Sequence, residues 1–262
     1  MMVNKDTKLY FSVSMKPGSF GVMLYNSAFE ALGINAIYKP LSFNCEDNLS
    51  RFYEFVSSIK RVGASGLSVS MPFKRLAPLF SWHNSKEVTE TKNCNTIIFE
   101  YEEKCIRSYC HNTDVVGFEK ACSDILKKTK NAVIFGRGAV ASSIAYVLKK
   151  HDVSFFMTKA PESLINRGVD LLINATPVGM EHVEDTVFSK AIVKEYKSVF
   201  DVVVKKETNL TNLAKQLGKE HVAGWKMSKH QLQEQFKIYT GQEYPEGLMV
   251  KNLKEMGYEE NF

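Results

Sequence analysis

Apolar residues recur along the chain with helical spacing in some stretches and as short strand-like runs in others. In the first half, the spacing predicts helices over 22–32, capped by Gly33, and over 49–59, ending before Gly63. Short apolar runs predict strands at 36–38 and 67–70. Apolar segments at 95–99 and 105–109, separated by a polar turn, predict a hairpin.

In the second half of the chain, predicted strands and helices alternate more regularly. Strands are predicted at 132–135, 153–157, 170–174 and 199–203, and helices at 140–150, 188–196 and 209–217. Two more helices follow Gly224, at 227–239 and 246–256. Because buried strands that alternate with helices form parallel sheets, this half predicts a doubly wound Rossmann-type α/β fold.

The pattern becomes regular near 114–118, which marks the best domain boundary. We therefore expect two α/β domains with a cleft between them, at 1–115 and 116–232. The last helices, within 233–262, are expected to pack back on the first domain.

Composition narrows the class of protein. The chain has 262 residues, a formal charge of +5, 44% hydrophobic and 24% charged residues, which excludes a disordered, collagen-like or disulfide-knotted chain. Lysines are scattered without a basic stripe, so nucleic acid is not expected as a partner. No signal peptide or apolar run of about 20 residues is visible. We expect a cytoplasmic protein, monomeric or homodimeric, that does not contact membranes.

Five cysteines without framework spacing favour a reducing compartment. Cys94, Cys105, Cys110 and His111 could gather around zinc, but no C-x-x-C pair is present. Buried thiols are the simpler interpretation, and we expect no metal.

A glycine-rich loop follows the strand at 132–135. It reads G-R-G-A-V-A from Gly136 to Ala141, a G-x-G-x-x-A pattern that opens the next helix. In such a turn the glycines let backbone N–H groups approach a pyrophosphate at the helix N-terminus. The strand before the loop and the helix after it fit this context, so the pattern predicts a dinucleotide cofactor.

The tip of the next strand normally distinguishes NAD from NADP. No acidic residue that could bind a ribose 2′-OH occurs there before Glu162, whereas Lys159 and Arg137 could face a 2′-phosphate. NADP is therefore favoured and NAD stays possible. In the simpler interpretation, Lys159 is only a solvated lysine.

Five further segments occur in order along the chain. They are S-V-S-M-P-F-K at 68–74, N-T at 95–96 with N-T-D at 112–114, N-A-T-P-V-G-M at 174–180, and Gly224, Met227 and Gln231 in G-x-x-M-x-x-x-Q. These segments resemble the N-V-T-x-P-F-K, V-N-T, N-T-D, N-A-T-x-x-G-M and G-x-x-M-x-x-x-Q motifs of shikimate dehydrogenases. Since order and spacing hold along nearly the whole chain, it is identified as a member of that family.

The resemblance implies an NADP-dependent oxidoreductase that interconverts shikimate and 3-dehydroshikimate, or a related cyclic hydroxy acid such as quinate, in the biosynthesis of chorismate and aromatic amino acids. It assigns proton transfer to Lys74 and Asp114, a lysine–carboxylate pair suited to acid–base work. It assigns substrate contacts to Ser19, Ser70, Asn95 and Gln231. It assigns cofactor contacts to Gly136, Arg137, Gly138, Ala139, Val140, Lys159, Val202 and Gly224. Without the motifs, Lys74 would be a surface lysine and Asp114 a helix cap.

This sequence departs from the family in its carboxylate clamp. The stretch at 19–26 reads S-F-G-V-M-L-Y-N where the family has S-x-S-P-x-x-H-N, so Gly21 replaces a serine and Tyr25 the histidine. Val204 stands where the family has a tyrosine. Losing a hydrogen bond to a charged group costs roughly 1.5–3 kcal/mol, or about ten- to a hundred-fold in binding.

The cofactor-binding N-R-T is M-T-K at 157–159, without the arginine. An intact catalytic pair with an altered recognition shell looks like the shikimate dehydrogenase-like branch, with a slower reaction. Replacement ligands for the carboxylate could come from Ser12, Ser14, Lys16 or Tyr38.

Two other functions remain open. A non-catalytic dinucleotide sensor could keep the fold, although it would not need both Lys74 and Asp114. A different two-domain dehydrogenase, such as one acting on folates, is disfavoured by the P-F-K and N-T-D segments.

Overall fold

The computed structural model describes residues 3–44, 48–164, 168–182 and 186–258. The chain divides into two compact units, one made of 1–113 with 232–262 and the other of 114–231. The strands are β1 Lys8–Ser14, β2 Ala36–Ser42, β3 Ala64–Val69, β4 His83–Asn84, β5 Thr96–Tyr101, β6 Ile106–His111, β7 Asn131–Phe135, β8 Ser154–Thr158, β9 Leu171–Asn174, β10 Ser198–Asp201 and β11 Glu220–Ala223.

The helices are α1 Phe20–Ala31, α2 Leu49–Arg61, α3 Lys86–Thr91, α4 Asp114–Ala121, α5 Ser123–Leu126, α6 Ala139–Lys150, α7 Lys190–Val193, α8 Asn209–Gln216, α9 Gly224–Thr240 and α10 Glu246–Glu255. Short 3-10 turns lie at Phe73–Arg75, Ala77–Phe80 and Pro161–Leu164.

The first unit is built on a mixed sheet in the order β2-β1-β3-β5-β6-β4. β1 pairs in parallel with β2 and β3, whereas β5 runs antiparallel to β3 and β6. Because side chains alternate along a strand, Val13 enters the apolar core with Leu67, while Ser12 and Ser14 project from the opposite face. That second face carries the polar residues of the site described below.

The second unit is a parallel sheet in the order β11-β10-β9-β7-β8. Every residue of β9 and β10 is buried, as expected for strands covered on both faces. The chain order of the strands reverses between β7 and β9. In sheets of this kind, ligands bind at the carboxyl ends of the strands beside such a switch point.

Most of the predicted elements are confirmed within a few residues, including the hairpin β5–β6 and the alternating second half. The helix predicted at 188–196 is too long, because only Lys190–Val193 is helical. Phe188 and Tyr196 are buried there outside the helix, so their apolar spacing reflects burial rather than helical hydrogen bonding. The strands β1, β4 and β11 were not predicted.

Candidate active site

Lys74 lies in the 3-10 turn that follows β3 and is 9% exposed. Its backbone carbonyl accepts a hydrogen bond from the Cys94 amide at 2.9 Å. The next residue, Asn95, is 4% exposed, and its carbonyl accepts the Val69 amide at 2.8 Å. The antiparallel pairing of β3 with β5 therefore brings Lys74 and Asn95 to the same end of these two strands.

The side chain of Asn95 is held in one orientation. Its Oδ1 accepts the Thr96 hydroxyl at 2.8 Å and the Thr113 amide at 2.9 Å, and its Nδ2 donates to the Thr113 hydroxyl at 3.0 Å. Since Oδ1 accepts from a backbone N–H, which can only donate, the rotation of the Asn95 amide is fixed by these bonds. Thr113 directly precedes Asp114, so the same bonds fix the chain before that carboxylate.

Gln235 on α9 is a residue that the sequence analysis missed. It is 3% exposed. Its Oε1 accepts hydroxyls from Tyr25 at 2.5 Å and from Ser68 at 2.9 Å. Its Nε2 donates to the Asn95 carbonyl at 3.1 Å and to the Thr96 hydroxyl at 2.5 Å. Asn95 and Gln235 are 140 positions apart, so no local pattern signals this contact.

Tyr25, which stands at the histidine position of the clamp, belongs to the core of the unit. It is 1% exposed, and its ring stacks on Tyr38 with 4.3 Å between the ring centroids. Burial raises the pKa of Tyr25 well above 10.0. The Tyr38 hydroxyl is hydrogen-bonded to Ser12 and Ser68, and burial raises its pKa too. Tyr25, Tyr38 and Ser12 therefore form hydrogen bonds within the protein.

Ser14 behaves differently from these neighbours. It ends β1 and is 8% exposed, and its hydroxyl oxygen has no hydrogen-bond partner among the residues that the structure describes. A buried hydroxyl without a partner costs free energy, which a ligand could recover. Lys16 and Ser19, which follow it, are exposed. Ser14 is therefore the clamp candidate whose hydroxyl is left for a ligand.

Ser70 is the last of the predicted substrate residues in this unit, and Gly21 is the position at which the family's clamp serine is missing. Ser70 is exposed at the end of β3, where its amide donates to the Val13 carbonyl at 2.9 Å. A Cβ built on Gly21 would lie 3.6 Å from the rings of Tyr25 and Tyr38, which is ordinary van der Waals contact. A serine therefore fits at position 21.

Asp114 and Gln231 belong to the second unit. Asp114 is the first residue of α4 and is buried. One turn later, a Cβ on Gly117 would lie 2.8 Å from both the Gln231 Cβ and the Met227 carbonyl oxygen. Glycine thus allows α4 and α9 to pack closely, and Gln231 lies against the helix that carries Asp114.

The glycine loop connects β7 to α6 at the switch point of the sheet. Gly136 has a φ of +130°, and a Cβ there would lie 2.6 Å from the Ala175 carbonyl oxygen, so only glycine fits. Gly138 caps α6, and a Cβ there would meet no atom within 4 Å. Ala139 and Val140 form the first turn of α6 and are half-buried. Open space before a helix N-terminus suits a pyrophosphate.

Arg137 and Lys159 both lie at the tip of β8. The Arg137 guanidinium donates to the Met157 carbonyl at 3.3 Å, and the exposed Lys159 follows β8 directly. Both cations therefore flank the strand end at which dinucleotide-binding sheets bind the ribose.

Val202 and Gly224 also contact each other in the second unit. A Cβ on Gly224 would overlap the Val202 carbonyl, and the Val202 amide donates to the Asn174 carbonyl at 3.0 Å. Val204, two residues further along, is exposed. Glycine at 224 is thus required where α9 begins beside the end of β10.

Asp201, at the end of β10, is a second buried group that the sequence analysis did not single out. Its carboxylate accepts from the Thr208 hydroxyl at 2.6 Å, the Asn174 amide at 2.9 Å and the Val203 backbone amide at 3.1 Å. Burial raises the pKa of Asp201 to about 6, and these hydrogen bonds oppose the shift.

Across the described ranges, no group of three or more His, Cys, Asp or Glu side chains is arranged to hold a metal ion. Cys94 and Cys110 are buried, and their thiols donate to the Thr96 and Ala77 carbonyls, whereas Cys105 is exposed. Cys45 lies outside the described residues. No helix in the described part of the chain has the length and apolar character needed to span a bilayer.

Comparisons with known proteins match this chain to one family. The family description "Shikimate dehydrogenase substrate binding domain" matches residues 18–97. A shikimate dehydrogenase (NADP(+)) from Pyrococcus abyssi is 31% identical over 90% of this chain and 92% of its own length. A shikimate dehydrogenase-like protein from Haemophilus influenzae is 28% identical over 95% and 97%.

A solved structure gives the same result. The shikimate dehydrogenase of Aquifex aeolicus superposes with a TM-score of 0.85 at 25% identity, over 97% of this chain and all of that one. The sheet orders and the glycine loop define a two-unit α/β protein with a Rossmann-type second unit. Similarity to the relatives named above shows the family within this class: the chain belongs to the shikimate dehydrogenase family.

Proposed function

We propose that this chain is an NADP-dependent oxidoreductase that interconverts shikimate and 3-dehydroshikimate, or a related cyclic hydroxy acid such as quinate. The observation that carries the proposal is the buried Asn95, whose side-chain amide is held by Thr96 and Thr113 at the strand end that also leads into Lys74. Residues 1–115 with 233–262 would bind the substrate, and residues 116–232 would bind NADP. Relatives named shikimate dehydrogenase (NADP(+)) support the activity and the cofactor.

The proposed reaction has two parts, a proton transfer and a hydride transfer. We assign to Lys74 the uptake of the proton from the substrate hydroxyl, with Asp114 as the carboxylate of the pair that the resemblance implies, while the alcohol carbon becomes a carbonyl carbon. A bound NADP⁺ would supply the acceptor for the hydride that leaves the same carbon. Asn95 donates to a substrate hydroxyl, and Ser70, Ser19 and Gln231 are assigned further polar contacts. Such contacts select a polyol because an analogue that lacks a hydroxyl leaves buried polar groups unpaired.

The cofactor residues fit a phosphorylated dinucleotide. Gly138 leaves open space before α6, where a pyrophosphate can accept hydrogen bonds from the backbone N–H groups of Ala139 and Val140. Arg137 and Lys159 lie at the tip of β8, where they can pair with a 2′-phosphate. Lysine lacks the planar fork of arginine, so Arg137 is the better match for that phosphate.

The substrate carboxylate meets an altered clamp, as in the proposed shikimate dehydrogenase-like branch. Tyr25 bonds inside the protein and Gly21 has no hydroxyl. We assign the unpartnered hydroxyl of Ser14 to the carboxylate. Binding of shikimate is expected to be weak, because one hydroxyl replaces several charged hydrogen bonds.

The test is a turnover assay. Purified protein is mixed with shikimate, quinate or dehydroshikimate and with NADP or NAD in the matching redox state, and nicotinamide absorbance is followed. Lys74→Ala should lower turnover by about a hundred-fold or more and leave cofactor binding unchanged, as expected for an acid–base residue. The exposed Lys86→Ala is the control. Normal turnover in Lys74→Ala would remove Lys74 from the mechanism, and cofactor binding without any turnover would favour a sensor.

A further inference from the structure

We infer that Gly117 is a positioning residue: it lets α4 approach α9 so closely that the side chain of Gln231 starts from a fixed place relative to Asp114. The inference rests on the proposed function, because that function assigns Gln231 to the substrate and Asp114 to proton transfer. Gly117 offers no functional group of its own and acts only through the spacing of the two helices.

The close approach of α4 to α9 involves backbone atoms. A Cβ built on Gly117 would lie 2.8 Å from the Met227 carbonyl oxygen and 3.2 Å from the Gln231 backbone nitrogen, two groups that an α-helix joins by a hydrogen bond. It would also lie 2.8 Å from the Gln231 Cβ, which moves only with that backbone. No change of side-chain rotamer can therefore relieve the contact, so a residue larger than glycine must push the helices apart.

The start of α9 is held in place independently of α4. A Cβ on Gly224 would lie 2.4 Å from the carbonyl oxygen of Val202, so this glycine lies directly against the chain that leaves β10. Gly224, Met227 and Gln231 are three and four positions apart and therefore share one face of α9. The G-x-x-M-x-x-x-Q segment thus forms the face by which α9 contacts both the end of β10 and α4.

Asp114 lies on the side of α4 that faces α9. It is three positions before Gly117, so both residues share one face of the helix. On the neighbouring face, Phe118 is fully buried and its ring contacts Phe200 of β10 with 5.0 Å between the ring centroids. Since both helices are anchored beside β10, a wider spacing at Gly117 displaces Gln231 relative to Asp114.

Gly117→Ala is the direct test. To reach the 3.4 Å at which ordinary contacts begin, the new Cβ must separate the helices locally by about 0.6 Å. Because a displaced amide loses its hydrogen bond to the substrate, the KM for shikimate should rise about ten-fold, while the Kd for NADPH stays within about two-fold of wild type. Gly247→Ala in α10, where a Cβ would meet no atom within 4 Å, is the matched control.

The KM distinguishes displacement from a loss of folded protein. Unfolding of a fraction of the molecules lowers the measured kcat and the number of NADPH sites together, but it leaves the KM of the folded molecules unchanged. Displacement of Gln231 changes the KM itself. In a double-mutant cycle, Gly117→Ala should raise the KM no further in a protein that already carries Gln231→Ala, because no amide is left to displace.

Gln231→Asn tests the same requirement without a new contact at Gly117. This variant keeps the amide but withdraws it toward α9 by one bond length. If the place of the amide matters, the KM should rise toward the value for Gln231→Ala, although the hydrogen-bonding groups are the same.

Melting temperatures and NADPH stoichiometry are measured for every variant. A raised KM in Gly117→Ala and in Gln231→Asn, with no further rise in the double variant, supports the inference. A wild-type KM in Gly117→Ala or Gln231→Asn, or a rise that adds fully to that of Gln231→Ala, overturns it. If Gly117→Ala does not fold, Gln231→Asn alone decides. Absence of wild-type turnover on every substrate would contradict the proposed function itself, whereas an active wild type with unchanged variants contradicts only this inference.

Discussion

Replacing Gly138 with alanine separates the role of the glycine loop in cofactor binding from its role in folding. Gly138 has φ −76° and ψ −172°, which any residue adopts, and a Cβ there would meet no atom within 4 Å. Alanine is a poorer helix cap than glycine but restricts the unfolded chain, and these effects of about 0.5–1 kcal/mol oppose each other. The melting temperature should therefore change little.

Affinity for NADP should fall, because the new methyl group occupies the space assigned to the pyrophosphate. Loss of one charged hydrogen bond costs roughly 1.5–3 kcal/mol, about ten- to a hundred-fold in Kd. The assay is titration with NADPH followed by fluorescence, with thermal melting in parallel. Gly247→Ala, which also meets no atom within 4 Å, is the matched control. A Gly138→Ala protein that binds NADPH within about two-fold of wild type would refute the assignment of the pyrophosphate to this loop.

Three further predictions concern specificity and stability. Arg137→Ala and Lys159→Ala should each weaken the binding of NADP more than the binding of NAD, by up to about ten-fold. Equal losses of affinity in titrations with the two cofactors would rule out a contact with the 2′-phosphate. Gly21→Ser combined with Val204→Tyr should lower the KM for shikimate by about ten-fold or more in steady-state assays. Both side chains can be accommodated, since position 21 has room and Val204 is exposed. A wild-type KM in the micromolar range would contradict a weakened clamp. Burial raises the pKa of Asp201 from 3.8 to about 6, so the folded state favours the protonated carboxyl. The contribution of this group to the free energy of unfolding is therefore complete below about pH 4 and is lost as pH rises through 6, by at most about 3 kcal/mol. Urea denaturation of wild type and Asp201→Asn across this range should show that difference, and parallel curves would argue against it.

The second unit is the part of the fold that sequence patterns predict best. Its strands β7 to β10 contain continuous apolar runs, and Gly136 and Gly138 mark the turn into α6, so local signals agree with the tertiary structure there. β1 was missed because Ser12 and Ser14 interrupt its apolar pattern on the face that carries the polar network. Burial of serine in a strand depends on partners from distant segments, which periodicity does not register.

Only those residues of the candidate site that lie in family motifs were predicted from the sequence. Lys74, Asn95 and Asp114 are found through short segments with a known family pattern. Gln235 looks like an ordinary polar residue on an amphipathic helix, and its burial becomes evident only when α9 is placed against β3 and β5. Tyr25 was interpreted as a lost clamp residue, whereas its contact with Gln235 gives it a different role.

The first unit is built from two separate stretches of the chain, and this affects the order in which the two units can fold during synthesis. Residues 114–231 are contiguous and can fold as soon as they leave the ribosome. The first unit must wait for residues from 232 onward, which include Gln235. During synthesis, Tyr25, Ser68 and Thr96 therefore exist for a time as polar groups without their shared partner. In a growing chain, the hydrogen bonds of Gln235 are therefore among the last contacts of the first unit to form, after the second unit already has all of its residues.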